Sequence, residues 1–389
     1  MTARNFSIRF SLCFAFLMVG AGVQLPFLPL WLQAKGLNSS EIAGILAGMF
    51  AARAVASPLL AALADKIHNR ILVVRACAAF SVSAFLVLAQ MEGFWPICIA
   101  ALGAAFVFAP VFPLVEGYCI DGSARNGSDY GRMRLWASVS FLSGSLVSGA
   151  LLTQLPIELA VWLMLGGQFC SLFATLMLPP EPKGLELQDL PAHSNSSAWR
   201  ILLGSKFTLV LLAVSAGQSS HGMLFGFATV HWNSLGFSTF LIGVFWTAAV
   251  AMEVVLFAFS KGLVVRFGAE YLMCIGLAGG IVRWIGMSFA TEAWAMIILQ
   301  MLHSVTFATT HLGTMHFIHR TVPTRMRNRA QGMYAAISGG VLMASVTWGS
   351  GYLFSTFGAL GFMVMAVISL FALLLAAIVA LPLRNTPEA

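Results

Sequence analysis

The sequence predicts an all-α membrane protein, with twelve transmembrane helices arranged as two bundles of six. Three observations predict it. Of 389 residues, 59% are hydrophobic and only 9% charged, whereas a soluble globular chain carries about 25% charge. Apolar runs of membrane-spanning length recur twelve times; in hydrocarbon only helices and closed barrels satisfy the backbone, and runs this long and continuous are helices. The third observation is a weak internal repeat at a shift of 200 residues, in which Lys35-Gly36-Leu37 meets Leu235-Gly236-Phe237 and Ile42 meets Ile242. The same shift overlays Arg53 on Glu253 and Glu116 on His316.

The runs centre on residues 10–33, 40–63, 70–90, 94–118, 133–153, 158–178, 207–231, 239–261, 270–290, 294–316, 331–353 and 359–381. The first is too long for the apolar part of a signal peptide and is expected to be retained. The one long polar connection, Pro179 to Lys206, contains Pro-Pro-Glu-Pro and Ser194-Asn195-Ser196-Ser197. It reads as a linker (179–206) between an N-terminal half (1–178) and a C-terminal half (207–389). Of the 21 lysines and arginines, eighteen fall on one side of the spans, with Arg134 at the span boundary, Lys35 alone on the other, and Arg53 and Arg283 inside them. By the positive-inside rule this places both termini in the cytoplasm, and it explains the net charge of +7 without a nucleic-acid surface. Small residues such as Gly144-Ser145, Ser148-Gly149 and Ser338-Gly339-Gly340 suit close helix approach. The six cysteines contain no Cys-x-x-Cys and read as packing residues.

Charge inside a span is the functional signal. A charged side chain at a helix centre costs about 2.5–3.5 kcal/mol by insertion scales, so Arg53, Glu116, Arg134, Glu253 and Arg283 require compensation. Fixed salt bridges are one answer and a wet cavity holding a polar ligand is the other. The spread of these residues over spans two, four, five, eight and nine favours the cavity. The three arginines outnumber the two acids by one, an excess that a carboxylate ligand would balance by bidentate pairing with a guanidinium. Trp31, Trp136, Phe141, Phe225, Phe227 and Trp246 are candidates for an aromatic wall. Glu253, Glu116, His221, His303 and His311 are candidate proton holders. His303 and His311 lie eight residues apart, about 80° apart in azimuth on an α-helix, so both can face one cavity, two turns apart. That spacing does not suit a shared metal, and no cofactor is expected. His-Glu-x-x-His, Gly-x-Ser-x-Gly and a nucleotide-binding loop are all missing from the sequence, which argues against an enzyme.

The loop Ala61-Ala62-Leu63-Ala64-Asp65-Lys66-Ile67-His68-Asn69-Arg70 resembles the Gly-x-Leu-x-Asp-Arg/Lys-x-Gly-Arg-Lys/Arg loop of the major facilitator superfamily, with Ala61 and His68 in place of its glycines. The resemblance implies the major facilitator fold, a substrate site near the midplane between the halves, and a gating role for Asp65, Lys66 and Arg70. Val115-Glu116-Gly117-Tyr118 followed by Asp129-Tyr130-Gly131-Arg132-Met133-Arg134 resembles the span-four to span-five stretch of lactose-permease-type proton symporters. There the matching Glu and second Arg bind substrate. The stretch from Ile281 to Thr291 resembles the ninth span of those symporters and Leu302-His303 their tenth, while Glu253 falls where they carry a span-eight acid for substrate and proton. Two positions depart from them: Thr306 stands in place of a proton-carrying carboxylate, and Gln300 in place of a Lys.

Nearly the whole chain resembles the phenylpropionic acid permease group. The shared stretches are Leu25-Pro26-Phe27, Ala52-Arg53, Asp129 to Trp136, His221, Glu253 to Ala258, Val282-Arg283-Trp284, and Leu302-His303 to His311-Leu312. The resemblance implies solute:proton symport of a small aromatic carboxylate by alternating access in the bacterial inner membrane. Glu116, Arg134, Arg53, Phe141, Glu253 and His221 are the expected substrate residues, and Glu253, Arg283, His303 and His311 the expected proton-coupling residues. The expected partners are a small-molecule substrate, protons and the lipid bilayer, with no nucleic acid and no metal, and the carrier is expected to be monomeric. The alternative is a proton symporter for a sugar, oligosaccharide or nucleoside, because Glu116 with Arg134 also suits hydroxyls. Proton-driven drug export ranks third.

Overall fold

A computed structural model describes residues 2–179 and 204–380. Most of the linker expected at 179–206 lies outside the described residues. No strand occurs among the described residues. Ten helices are long and apolar enough to cross a membrane once: α1 Ala3–Ala34, α2 Ser39–Ile67, α3 Arg70–Gln90, α4 Phe94–Asn126, α5 Tyr130–Gln154, α6 Ile157–Leu176, α7 Lys206–Ser234, α8 Thr239–Ala258, α9 Ala269–Phe289 and α10 Ala293–Thr321. An eleventh stretch, Arg327–Val379, has 53 residues, enough for two crossings at about 20 residues each. A tight turn at Gly358–Gly361, with Gly358 at φ +56°, divides it. The first part, α11, runs through Arg327–Tyr334, Ala335–Leu342 and Met343–Phe357, and α12 is Phe362–Ala380. Twelve crossings result, as the apolar runs predict. Helices overrun those runs where a cap continues them: Thr2 accepts from the Asn5 N–H and starts α1 ahead of its apolar run.

Contacts divide the chain into two compact units. The first lies within Met1–Glu181, Leu224–Ala251 and Thr347–Gly358. Here α1 packs along α5 and α6, and Pro26 of α1 sets how. Pro26 has no N–H to offer the Gly22 carbonyl one turn back. The Ser145 hydroxyl of α5 donates to that carbonyl instead, at 2.9 Å. The helices must nearly touch for this: a Cβ on Gly22 would lie 2.4 Å from the Phe141 carbonyl oxygen. Against α6 the approach is as close, since a Cβ on Gly167 would lie 2.3 Å from the Gly20 Cα. Below this contact Phe6, Phe10, Phe14, Leu17, Val74, Val111 and Tyr118 form the buried core.

The repeat read from the sequence has a structural counterpart in this unit. Helix α1 ends at Gly36, φ +82°, with the Gly36 N–H on the Gln33 carbonyl and the Leu37 N–H on the Leu32 carbonyl. Helix α7 ends the same way at Gly236, φ +84°, with bonds from Gly236 to Asn233 and from Phe237 to Trp232. Both are glycine-terminated caps, which need a left-handed residue that glycine adopts without strain.

The second unit lies within Pro182–Met223, Met252–Val346 and Ala359–Ala389. Here α9 packs against α10 and α12, around Phe207, Val210, Leu211, Met273, Phe317, Ile318 and Tyr334. Three stretches widen from α to π geometry: Leu224–Ala228 in α7, Ser304–Thr309 in α10 and Ala335–Leu342 in α11. Such turns cluster at functional sites because they re-aim side chains.

The α1–α6 contact makes a stability prediction. Gly167→Val forces backbone against backbone and is expected to cost about 1–3 kcal/mol, read as a lower melting temperature of the purified protein. Gly166→Val, whose Cβ meets nothing within 4 Å, leaves it unchanged.

Candidate functional site

The first unit holds a cavity of about 220 Å³. Two helix faces build most of it. Leu46, Met49, Phe50 and Arg53 of α2 recur at i, i+3, i+4 and i+7 and so share a face. Met18, Ala21, Gln24, Leu25, Leu28 and Pro29 come from α1. Phe141 enters from α5, placed by the Gly22 contact, and Phe225 from the π-helical turn of α7. Phe225 stacks on Trp246 with ring centres 6.2 Å apart and also meets Phe50 at 6.3 Å. Trp246 is held in turn by its N–H on the Thr229 hydroxyl, 3.0 Å. Among the described residues Arg53 makes no hydrogen bond and no ion pair. A guanidinium carries five donors and never an acceptor. The cavity is therefore a mostly apolar and aromatic chamber with one amide, Gln24, and one cation that no described residue answers.

Glu116 and Arg134 form a pair outside that cavity. Arg134 Nε donates to Glu116 Oε1 at 3.1 Å, and the Tyr130 hydroxyl donates to the same oxygen at 2.6 Å. The Arg134 guanidinium lies 4.7 Å over the Phe112 ring. Because the inner nitrogen holds the Glu, the outer edge of the fork is open. About a third of each side chain is exposed, 36% for Arg134 and 31% for Glu116. This is an ion pair that can be opened.

The second unit contains a tighter arrangement. Arg283 is wholly buried, 0% exposed, and lies 4.7 Å over the Trp284 ring. Its Nε donates to the Leu299 carbonyl at 2.8 Å, its Nη1 to His303 Nδ1 and Thr306 Oγ1 at 3.1 Å each, and its Nη2 to Gln300 Oε1. Thr306 Oγ1 also meets His221 Nε2 at 3.1 Å, and His221 Nδ1 donates to the Gln218 carbonyl at 3.0 Å. His303 Nε2 lies 3.9 Å from Glu253 Oε2. The widened turn at Ser304–Thr309 presents Thr306 to both α7 and α9.

With this geometry in view, comparison with known proteins is decisive. The model of the MFS_1 like family matches residues 7–365. The chain belongs to the MFS_1 like family. It is 30% identical over 361 residues to the probable 3-phenylpropionic acid transporter of Escherichia coli K12, covering 91% of this chain and 93% of that protein. It is 22% identical to the lactose permease of Klebsiella oxytoca, over 75% of this chain and 74% of that one. Among solved structures it resembles the nucleoside transporter NupG in fold, with a TM-score of 0.82, 16% identity and coverage of 98% and 100%. This member of the family is an integral membrane transporter of the major facilitator type that acts on a small molecule, and it is not an enzyme.

The expected site residues fall into three groups. Arg53 and Phe141 line the cavity; Glu116 and Arg134 pair with each other; Glu253, His221, Arg283 and His303 gather in the second unit. Two expectations need correction. His303 and His311 do not share a site: His303 joins Arg283, whereas the His311 ring packs 5.8 Å from Tyr334. The count of 100° per residue fails because the π-helical turn lies between them. The aromatic wall is also smaller than expected. Trp31 and Phe227 are fully buried in packing, Trp246 backs Phe225, and Trp136 is half exposed on a separate groove beside α1. Sequence reasoning missed Tyr130, although its i, i+4 spacing from Arg134 puts both on one face. It also missed Gln24 and Phe50, ordinary span residues whose role comes from facing Arg53.

In the loop after α2, Arg70 Nη1 pairs with Asp121 Oδ2 at 2.8 Å and ties the start of α3 to the end of α4, whereas Asp65 and Lys66 are exposed. His68, where the superfamily loop has a glycine, is the one described non-glycine residue at positive φ, +54°. Its Nδ1 lies 3.0 Å from the Lys66 carbonyl, which offsets part of the strain. A β-branched residue there has no such compensation. His68→Val is expected to cost about 1–2 kcal/mol, whereas His68→Gly leaves stability at or above the parent value in chemical denaturation.

Proposed function

We propose that this transporter is a solute:proton symporter for a small organic acid of the phenylpropionate kind. It works as a monomer by alternating access between the halves 1–178 and 207–389, in a bacterial inner membrane with both termini cytoplasmic. The observation that carries the substrate class is Arg53. An intramembrane guanidinium without a partner among the described residues calls for an anion, and its neighbours Phe50, Phe141 and Phe225 call for a ring. A planar carboxylate matches the fork bidentately. The room available, about 220 Å³, accepts one ring with a short acidic tail. The similarity to a probable 3-phenylpropionic acid transporter supports the same reading.

Coupling is assigned to Glu253, the carboxylate of the second-unit cluster, beside His303. Neither Thr306 nor Gln300, at the two positions that depart from lactose-type symporters, can carry a proton. Asp65, Lys66 and Arg70 act at the gate. A second reading, proton symport of a sugar or nucleoside, draws on the Glu116–Arg134 pair, whose open fork and shared oxygen can bind hydroxyls.

Arg53→Ala is expected to weaken 3-phenylpropionate binding at least tenfold, about the worth of one charge-assisted hydrogen bond, while leaving neutral 3-phenylpropanol unaffected. Equal losses in titration calorimetry would reject the carboxylate role. Glu253→Gln is expected to abolish uphill accumulation in proteoliposomes and to spare exchange down a gradient. Arg134→Lys, which removes the planar fork, separates the two readings: a large loss of sugar or nucleoside binding with little change for the acid would favour the second.

A further inference from the structure

We infer that His303 and His221 are positioning residues that hold no coupled proton: a directed hydrogen-bond chain starting on Arg283 fixes each as a neutral ring, in opposite tautomers, and aims the single N–H of His303 at Glu253.

The direction of every bond follows from what each group can do. A guanidinium only donates. Arg283 Nη1 has two hydrogens and two neighbours, His303 Nδ1 and Thr306 Oγ1, each at 3.1 Å. His303 Nδ1 must therefore present a lone pair. A neutral imidazole has one proton, so that of His303 sits on Nε2, the atom 3.9 Å from Glu253 Oε2. That gap is too long for a hydrogen bond and closes with a small movement.

The other branch runs to α7. The Gln218 carbonyl only accepts, so His221 Nδ1, 3.0 Å away, carries its proton. His221 Nε2 then presents a lone pair to Thr306 Oγ1 at 3.1 Å. The Thr306 hydrogen also has the His303 carbonyl in reach at 3.3 Å, and the shorter contact to His221 takes it while the hydroxyl accepts from Arg283. This explains the departure at position 306. A hydroxyl accepts and donates at once, which an ionised carboxylate cannot do.

A second proton on either ring breaks the chain. On His303 it would set N–H against the N–H of Arg283. On His221 it would place an imidazolium and a guanidinium on one hydroxyl, both residues being buried, where like charges repel strongly. The rings cannot turn away: His303 stacks on Phe307 at 5.1 Å and meets His221 edge-on at 5.2 Å, and His221 meets Trp284 at 5.0 Å. The titratable or charged groups facing His303 are His221 from α7, Glu253 from α8 and Arg283 from α9. Of these only Glu253 can gain a proton with the chain intact. Ionised, it accepts from His303 and ties α8 to α10. Protonated, it leaves a neutral bond about half as strong. Loading the proton thus loosens one helix contact. That consequence rests on the symport reading above, but the tautomers do not.

Two measurements test this. In ¹⁵N-histidine spectra of the full-length protein in nanodiscs, His303 is expected as the Nε2–H form and His221 as the Nδ1–H form, both unchanged from about pH 5 to 8. Double protonation of either ring in that range, or the same tautomer in both, overturns the inference. In proteoliposomes with radiolabelled 3-phenylpropionate, His303→Ala is expected to slow transport about tenfold or more. His303→Gln, which supplies an acceptor and a donor but no titratable site, recovers most of that rate at the wild-type accumulation ratio. If His303→Gln exchanges substrate but no longer accumulates it, His303 is the carrier and the inference fails. Normal accumulation by Glu253→Gln defeats the symport reading instead, and the spectra still judge the tautomers.

Discussion

An ion withdrawn from water must be answered by something, and Arg283 governs how this protein meets that requirement. Wholly buried, its guanidinium gives four of its five hydrogens to a helix carbonyl, a glutamine, a threonine and an imidazole lone pair, with an indole face beneath it. Those contacts draw α9 and α10 together, and through Thr306 they reach α7. A single buried charge thus dictates rotamers and tautomers on three helices. Removing any one acceptor would leave a donor stranded in low dielectric, which costs more than the bond itself contributes.

The rest of the scaffold follows from the same scarcity of water. Where Pro26 orphans a carbonyl in α1, a serine from α5 must supply the missing donor. The serine can reach only because glycines at 22 and 144 let the helices nearly touch. That contact places Phe141 opposite Gln24 and Leu25, and the cavity of the first unit results. Packing through small residues and the chemistry of the cavity wall are thus one arrangement seen from two sides.

The three charged groups differ in how completely they are answered. Arg283 is closed off by fixed partners. Glu116 and Arg134 answer each other with part of each side chain open. Arg53 has no protein partner among the described residues. A transporter needs such a gradation, because a site that is fully satisfied has no reason to bind and a locked pair has no reason to release.

Helix count, membrane embedding and family were legible in the chain because the hydrophobic requirement of lipid is written residue by residue and needs no partner to be read. The glycine caps at 36 and 236 were legible as a repeat because left-handed backbone demands glycine locally. The ionisable residues stood out individually, since each breaks an apolar run. Their grouping did not. The Glu116–Arg134 pair was implied by resemblance alone; whether His303 and His311 share a face, and which aromatic rings turn inward, depend on helix rotation, on π-helical turns and on contacts between distant spans. Local sequence carries no measure of these. The sequence by itself determined that polar side chains sit within the membrane; only the tertiary structure, through helix rotation and contacts between distant spans, decided which of them are answered by other described residues and which, like Arg53, are not.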